Sequence, residues 1–199
     1  SPACAQIITT MFKYFKYEIT QDIATCLITG IITDTGGFKY EGVTSETFEI
    51  ASEFLDKGVK ISKIYKEALN NVSKEVFEAR KLAANRLEFL EDGKITYTYM
   101  TKEDMAKLHV DQNDLNGIVE NGRDIQGVEI AILLKEKEGA NGYKASLRSH
   151  ETINVSDVCM MLGGGGHRGA AGCFVSGTLE QAKNKICLLY TSDAADDMQ

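Results

Sequence analysis

Apolar residues recur at helical spacing through Ile23, Ala24, Leu27, Ile28 and Ile31, with Thr20 placed as an N-cap and Asp22 in the first turn. This predicts a helix that delivers Asp34 to its C-terminal end, where Gly36-Gly37 stops it. Thr44 opens a second predicted helix, with Phe48, Ala51 and Leu55 facing inward and Gly58 as its cap. A third helix is predicted over 62–70. A longer one over 73–90 carries Val76, Ala83, Leu87 and Leu90 on one stripe and reads as a connection between domains.

After Asp92-Gly93 the period changes from helical to two. Ile95, Tyr97 and Tyr99 point one way and Thr96 and Thr98 the other, which is a strand. Further strands are predicted over 128–134, 142–149 and 172–176, with helices over 155–162 and 179–186. The segment 136–142, EKEGANG, supplies a hairpin-like turn. The expected fold class is therefore α/β. A helical region, 1–72, is joined by a helix, 73–91, to a mixed-sheet α/β domain, 92–187. Residues 188–199 do not continue the stripe of Leu179, Ala182 and Ile186, and read as a non-native or disordered acidic tail.

Composition narrows the function classes. The formal net charge of -7, three units of it from Asp193, Asp196 and Asp197, argues against a general duplex-binding surface, although a short oligonucleotide held at one end needs only a local basic cluster. The five cysteines, 4, 26, 159, 173 and 187, are odd in number and form no C-x-x-C, so buried free thiols in a reducing compartment are expected rather than disulfides or a zinc site. Apolar runs are too short for a membrane span, and no signal-like segment opens the chain. A soluble, cytoplasmic protein is the expectation, with a homodimer left open.

The stretch with the most chemistry is 163–172, GGGGHRGAAG. Glycine runs cost backbone entropy and are kept where the chain needs unusual dihedrals or where a ligand must approach the main chain. The order of elements is helix, loop, strand. A phosphate-binding P-loop runs strand, loop, helix and ends in Lys-Ser or Lys-Thr, so this is not one. By itself the run could equally be a turn with a solvent-facing histidine.

Read together with its surroundings, GGGGH followed by two alanines and a glycine resembles the signature of the DHH-associated domain of the DHH phosphoesterases. Ser146-Leu147-Arg148-Ser149 resembles the Ser-x-Arg-Ser strand that faces this loop in the family. Far upstream, residues 29–38, TGIITDTGGF, resemble the fourth motif of the DHH catalytic domain. The resemblance covers about residues 3–186 and points to the bacterial oligoribonucleases (nanoRNases) that also act on 3'-phosphoadenosine 5'-phosphate.

The resemblance implies a metal-dependent phosphoesterase acting on short oligoribonucleotides or nucleotide phosphates, with two Mn2+ ions in the intact site. It assigns Asp34 to catalysis and manganese binding, and Ser146, Arg148, Ser149, Gly164, Gly165, Gly166 and His167 to the substrate. An aspartate at a helix C-terminus is opposed by the helix dipole and is better explained by a nearby cation, although capping or solvation is its commoner use. One carboxylate cannot hold such an ion, because divalent sites need roughly four to six donors. The family's early aspartate motif and its Asp-His-His motif are absent, and the three histidines stand apart at 109, 150 and 167, of which 109 and 150 read as surface residues. The chain is thus expected to be a fragment, inactive as written. Rival expectations are a cyclic dinucleotide phosphodiesterase and a non-catalytic nucleic-acid-binding module; the Thr33-Asp34-Thr35-Gly36 motif speaks against the second.

Overall fold

The computed structural model describes residues 3–40, 42–150 and 153–196. Contacts divide the chain into two compact units, Ser1–Val72 and Ser73–Gln199.

The first unit is helical: α1 (Cys4–Tyr14), α2 (Gln21–Asp34), α3 (Ser45–Asp56) and α4 (Ile61–Ile64), which widens into a π-type turn over Tyr65–Leu69. In α2 the Thr20 hydroxyl accepts from the Ile23 N–H, and Ala24, Leu27, Ile28, Ile31 and Ile32 are buried. These pack with Ile50, Ala51, Phe54, Val59 and Ile64. Thr44 and Thr47 form the capping box of α3. Its buried face, however, is Thr47, Ile50, Ala51 and Phe54, while Phe48 and Leu55 are 56% and 51% exposed. The expected stripe was one residue out of phase because it read a threonine as polar surface. Thr47 is buried, its hydroxyl donating to Gln6 Oε1 at 2.9 Å. The same contact explains why α1 gave no helical signal: its buried residues are Gln6 and Thr9, both polar.

The second unit opens with α5 (Lys74–Asn85), capped by Ser73. This helix is shorter than expected and is not a bare connection. Ala79 and Ala83 are buried against Met100, Leu115, Ile118 and Leu133, and Glu88–Leu90 is already a strand, β1. Then follow β2 (Ile95–Met100), α6 (Lys102–Leu108), α7 (Ile118–Arg123), β3 (Ile130–Glu136), β4 (Gly142–Ser149), α8 (Val155–Met161), β5 (Gly165–His167), β6 (Ala170–Ser176) and α9 (Leu179–Asp196). The six strands form one mixed sheet in the order β1-β2-β3-β4-β6-β5, with β2 and β3 parallel and every other pair antiparallel.

The two faces of this sheet are covered unequally. On one, Ile95, Tyr97, Ile132, Leu134, Ala145, Leu147, Cys173 and Val175 pack with Val155, Val158 and Cys159 of α8 and Ala182 and Ile186 of α9. On the other, residues of α5, α6 and α7 cover Met100, Ala131 and Leu133 of β2 and β3. That second cover thins beyond β3: α7 reaches β4 at Arg148, while Lys144 and Phe174 are exposed and Ser146, Arg148 and Gly172 half-buried.

The closing helix runs past the predicted end at 186. Its buried anchors are Ala182 and Ile186 and its backbone stays helical to Asp196, so the described part of the tail is helix rather than disordered chain. Residues 197–199 lie outside the described ones. The cysteine expectation holds for Cys159 and Cys173, which are buried and free, whereas Cys4 and Cys26 are exposed. Among the described residues no helix is long and apolar enough to cross a membrane.

Candidate substrate-binding site

The glycine run divides into positions the fold requires and one it does not. α8 ends at Met161, and Gly163 takes a left-handed φ of 73° while the N–H groups of Gly163 and Gly164 bond to Met160 and Cys159 carbonyls, which closes the helix. A Cβ at Gly164 would stand 2.3 Å from the Gly172 carbonyl oxygen, and one at Gly166 2.5 Å from that of Ala170. Both are therefore glycine for packing reasons. Gly165 differs: its φ is not in the left-handed region, and a Cβ there would meet nothing within 4 Å. The run is also more regular than the loop expected from sequence, because 165–167 pair with 170–172 as an edge hairpin. Ser156 Oγ donates to the Gly166 carbonyl at 3.1 Å and braces it.

Register then sets the other residues beside this hairpin. Side chains paired across antiparallel strands share a face. One row runs Arg148 (β4), Ala170 (β6), His167 (β5); the next Ser146, Gly172, Gly165; the third Lys144 and Phe174, with Lys135 of β3 behind Lys144. The small residues on β6 make the middle of this floor low. A cavity of about 470 Å3 sits on it, lined by Gln112, Lys137, Lys144, Gly164, Gly165, Gly172, Cys173 and Phe174.

The structure thus brings Ser146, Arg148, Gly165 and His167 to one open face. It does not bring Ser149 there. Strand alternation turns Ser149 to the opposite side, where it is buried, its hydroxyl donating to the Ile153 carbonyl at 2.7 Å and its N–H to that of Gly169 at 3.0 Å. Ser149 ties β4 to the hairpin's turn instead of meeting a ligand. Arg148 is also held differently from expectation: Nε donates to Glu120 Oε1 at 2.9 Å and Nη1 to the Leu147 carbonyl at 3.0 Å. Two of its five N–H donors are thereby engaged: the Nε side of the guanidinium is closed by Glu120, and both N–H groups of Nη2 and the second N–H of Nη1 are left for an anion. His109 caps α6 at a left-handed φ of 55°, and His150 Nε2 lies 3.0 Å from the Arg123 carbonyl, so neither takes part.

Two residues of this face escaped the sequence reading. Glu120 of α7 orients Arg148, yet Ile118-Val119-Glu120 carries no motif that could announce it. Lys135 was left out because the predicted strand ended at 134. It is 2% exposed, its Nζ donates to the Gln112 carbonyl at 3.0 Å, and burial first, then the charges of Lys144 and Arg148, bring its pKa down to about 8. The larger cause is loss of hydration, which disfavours the charged form of a buried lysine, and Glu120 and Asp111 partly offset it.

Asp34 belongs to the first unit. Its helix end is built by Thr35, whose buried hydroxyl donates to the Ile31 carbonyl at 2.6 Å and accepts from the Phe38 N–H at 3.0 Å. Gly36 and Gly37 have left-handed φ of 57° and 74°, and the Tyr40 and Tyr65 rings lie where their Cβ atoms would go. Asp34 is exposed at this corner. Among the described residues no three of His, Cys, Asp and Glu stand together as a metal ion would need.

Residues 92–190 match the DHHA1 domain family. The chain is 29% identical over 185 residues to the bifunctional oligoribonuclease and PAP phosphatase NrnA of Thermus thermophilus, covering 92% of this chain and 55% of that protein. It is 30% identical over 176 residues to the protein of the same name from Mycoplasma genitalium, covering 87% and 53%. The chain thus spans about half the length of these curated relatives. The crystal structure of an exopolyphosphatase-related protein from Bacteroides fragilis superposes with a TM-score of 0.89 at 27% identity, covering 94% of this chain and 56% of that one. The chain carries a DHHA1 domain over residues 92–190 and is similar along most of its length to NrnA proteins.

Proposed function

We propose that this chain is the substrate-gripping part of a phosphoesterase that hydrolyses short oligoribonucleotides and the phosphomonoester of 3'-phosphoadenosine 5'-phosphate. Gly165 carries the reading. It is a glycine with neither a backbone nor a packing reason, and it stands on the open floor in the row of Ser146 and Gly172 and lines the cavity. A missing side chain at such a place leaves room for a ligand against the main chain. Arg148, with Glu120 holding its Nε, offers Nη2 to a phosphate oxygen; His167, two strands away in the same row, supplies a second polar contact; the Ser146 hydroxyl, in the next row, supplies a third. Lys135 and Lys144 add positive charge that favours the anion.

The relatives' names support the substrate class, since the chain resembles NrnA proteins along most of its length. Manganese is the metal this reading expects, with Asp34 as one ligand. The donors present do not fit such an ion, because no cluster of three His, Cys, Asp or Glu occurs among the described residues. What the chain's own residues do is bind and orient the phosphate end of the substrate.

The test is calorimetric binding of a 5'-phosphorylated diribonucleotide. Gly165→Ala should lose most affinity at an unchanged melting temperature, whereas Gly164→Ala should lower the melting temperature. Arg148→Ala and His167→Ala should each weaken binding, for the arginine by roughly tenfold to a hundredfold, the value of a charge-assisted hydrogen bond. If Gly165→Ala, Arg148→Ala and His167→Ala all bind as the parent does, the hairpin is only a turn and the reading fails.

A further inference from the structure

The cavity beside Gly165 is larger than one phosphate needs, and its far wall is aromatic. Phe174 lies on β6 in the row after Gly172, on the open face, with 41% of its surface exposed, although the residues on either side of it, Cys173 and Val175, are buried. Its ring lies over Gly142: a Cβ there would stand 2.7 Å from Phe174 Cζ, so the glycine makes room for it. The Lys137 ammonium lies 5.4 Å from the ring centroid, and Lys144 is its cross-strand neighbour on β4. A solvent-facing ring with one ammonium over it and a second lysine as its cross-strand neighbour, lining a cavity of about 470 Å3, combines a flat apolar surface with anion attraction. Nucleotides present that same pair of features, a π-face joined to a phosphate.

We propose that Phe174 is a stacking platform for a nucleobase of the bound oligonucleotide, with Lys137 and Lys144 contacting the phosphate attached to that nucleoside. This rests on the reading of the Gly165 face as the phosphate-end grip and adds to it a base-binding subsite next to that grip. The exposed Lys137 side chain, here over the ring, yields the ring to the base and turns its ammonium to the phosphate. Because every base has a π-face, the subsite favours the presence of a base over its identity. Chains of two or more nucleotides are thereby preferred over a lone phosphate or sugar phosphate.

A 5'-phosphorylated diribonucleotide containing 2-aminopurine reports the contact, since stacking on an aromatic ring quenches its fluorescence. With the parent chain, binding should quench the probe. Phe174→Leu, a substitution at an exposed position that keeps the apolar volume, should remove the quench and weaken binding by roughly tenfold, in the range of one base–aromatic stack. Phe174→Tyr should restore both. A dinucleotide lacking that base should bind parent and Phe174→Leu alike. Arg148→Ala, measured in parallel, separates the two ideas. Weaker binding by Arg148→Ala with parent-like binding and quenching by Phe174→Leu overturns the platform and leaves the phosphate grip standing. Loss with Phe174→Leu alone keeps the platform and removes the arginine from the grip. Equal weakening of the abasic probe by Phe174→Leu would mean that Phe174 only shapes the fold, and would also overturn the proposal.

Discussion

Lys135 is the residue whose chemistry depends most on its neighbours. It stands on β3 on the same face as Met100 and Leu133, and its ammonium has the Gln112 carbonyl as a hydrogen-bond acceptor. Burial lowers its pKa from 10.5 to about 8, so above that pH the folded protein sheds a proton that the unfolded chain still holds. Stability then rises with pH across the interval from about 8 to 10.5, where the unfolded state binds more protons. Denaturant unfolding of parent and Lys135→Met over this interval should show the parent gaining stability relative to the variant. A constant difference between them would mean that the lysine is not desolvated. Nothing in the run Ile132-Leu133-Leu134-Lys135 distinguishes a lysine that ends a strand from one held under a binding face. Only the packing of the segment around Gln112 makes that distinction.

At the scale of elements, the end of α5 is tied to the start of α6 by Arg86 and Asp104. Arg86 Nη2 donates to Asp104 Oδ1 at 2.9 Å, and Asp104 Oδ2 also accepts from the Thr101 N–H at 2.9 Å as half of a capping box. Burial alone would raise the Asp104 pKa, but the bonds from Arg86 and Thr101 outweigh it and hold the value at about 2. The stability this carboxylate contributes is present above its ordinary pKa of 3.8 and is lost as pH falls through about 2. Asp104→Asn should cost about 2 kcal/mol at neutral pH, the scale of a charge-assisted hydrogen bond, and flatten the acid limb of an unfolding profile. An unchanged profile would make the pair ornamental. Helices with apolar stripes, such as α2, were legible beforehand, as were β2 and β4, with their alternation. α1 and the inward phase of α3 were not, because Gln6, Thr9 and Thr47 satisfy one another or backbone carbonyls inside the unit, and periodicity counts such residues as surface.

For the whole molecule, the distribution of donors sets the expected activity. Asp34 is in the first unit and the open face of Gly165 and Arg148 in the second, and no three-residue metal-ligand group occurs among the described residues. Supplied with manganese and a diribonucleotide, this chain should bind the nucleotide yet release product at a rate indistinguishable from buffer. Turnover like that of an intact relative, followed by chromatography of the products, would show that the chain assembles a metal centre after all.

The sequence by itself determined many of the elements, α2, β2, β3, β4, α8 and β6 among them, the α/β character of the second unit, and the prominence of the glycine run and of Asp34 at a helix end; Arg148 stood out through the family resemblance of its strand. These are local signals, set by period, capping and backbone freedom. Tertiary structure decided which of them meet. Strand alternation sent Ser149 to the buried side and Ser146 to the open one. Register put Gly165, Arg148, His167 and Phe174 on a single floor, and the uneven cover of α5, α6 and α7 left that floor exposed. Such choices depend on which strands pair and which helices cover them, and those contacts join residues far apart in the chain.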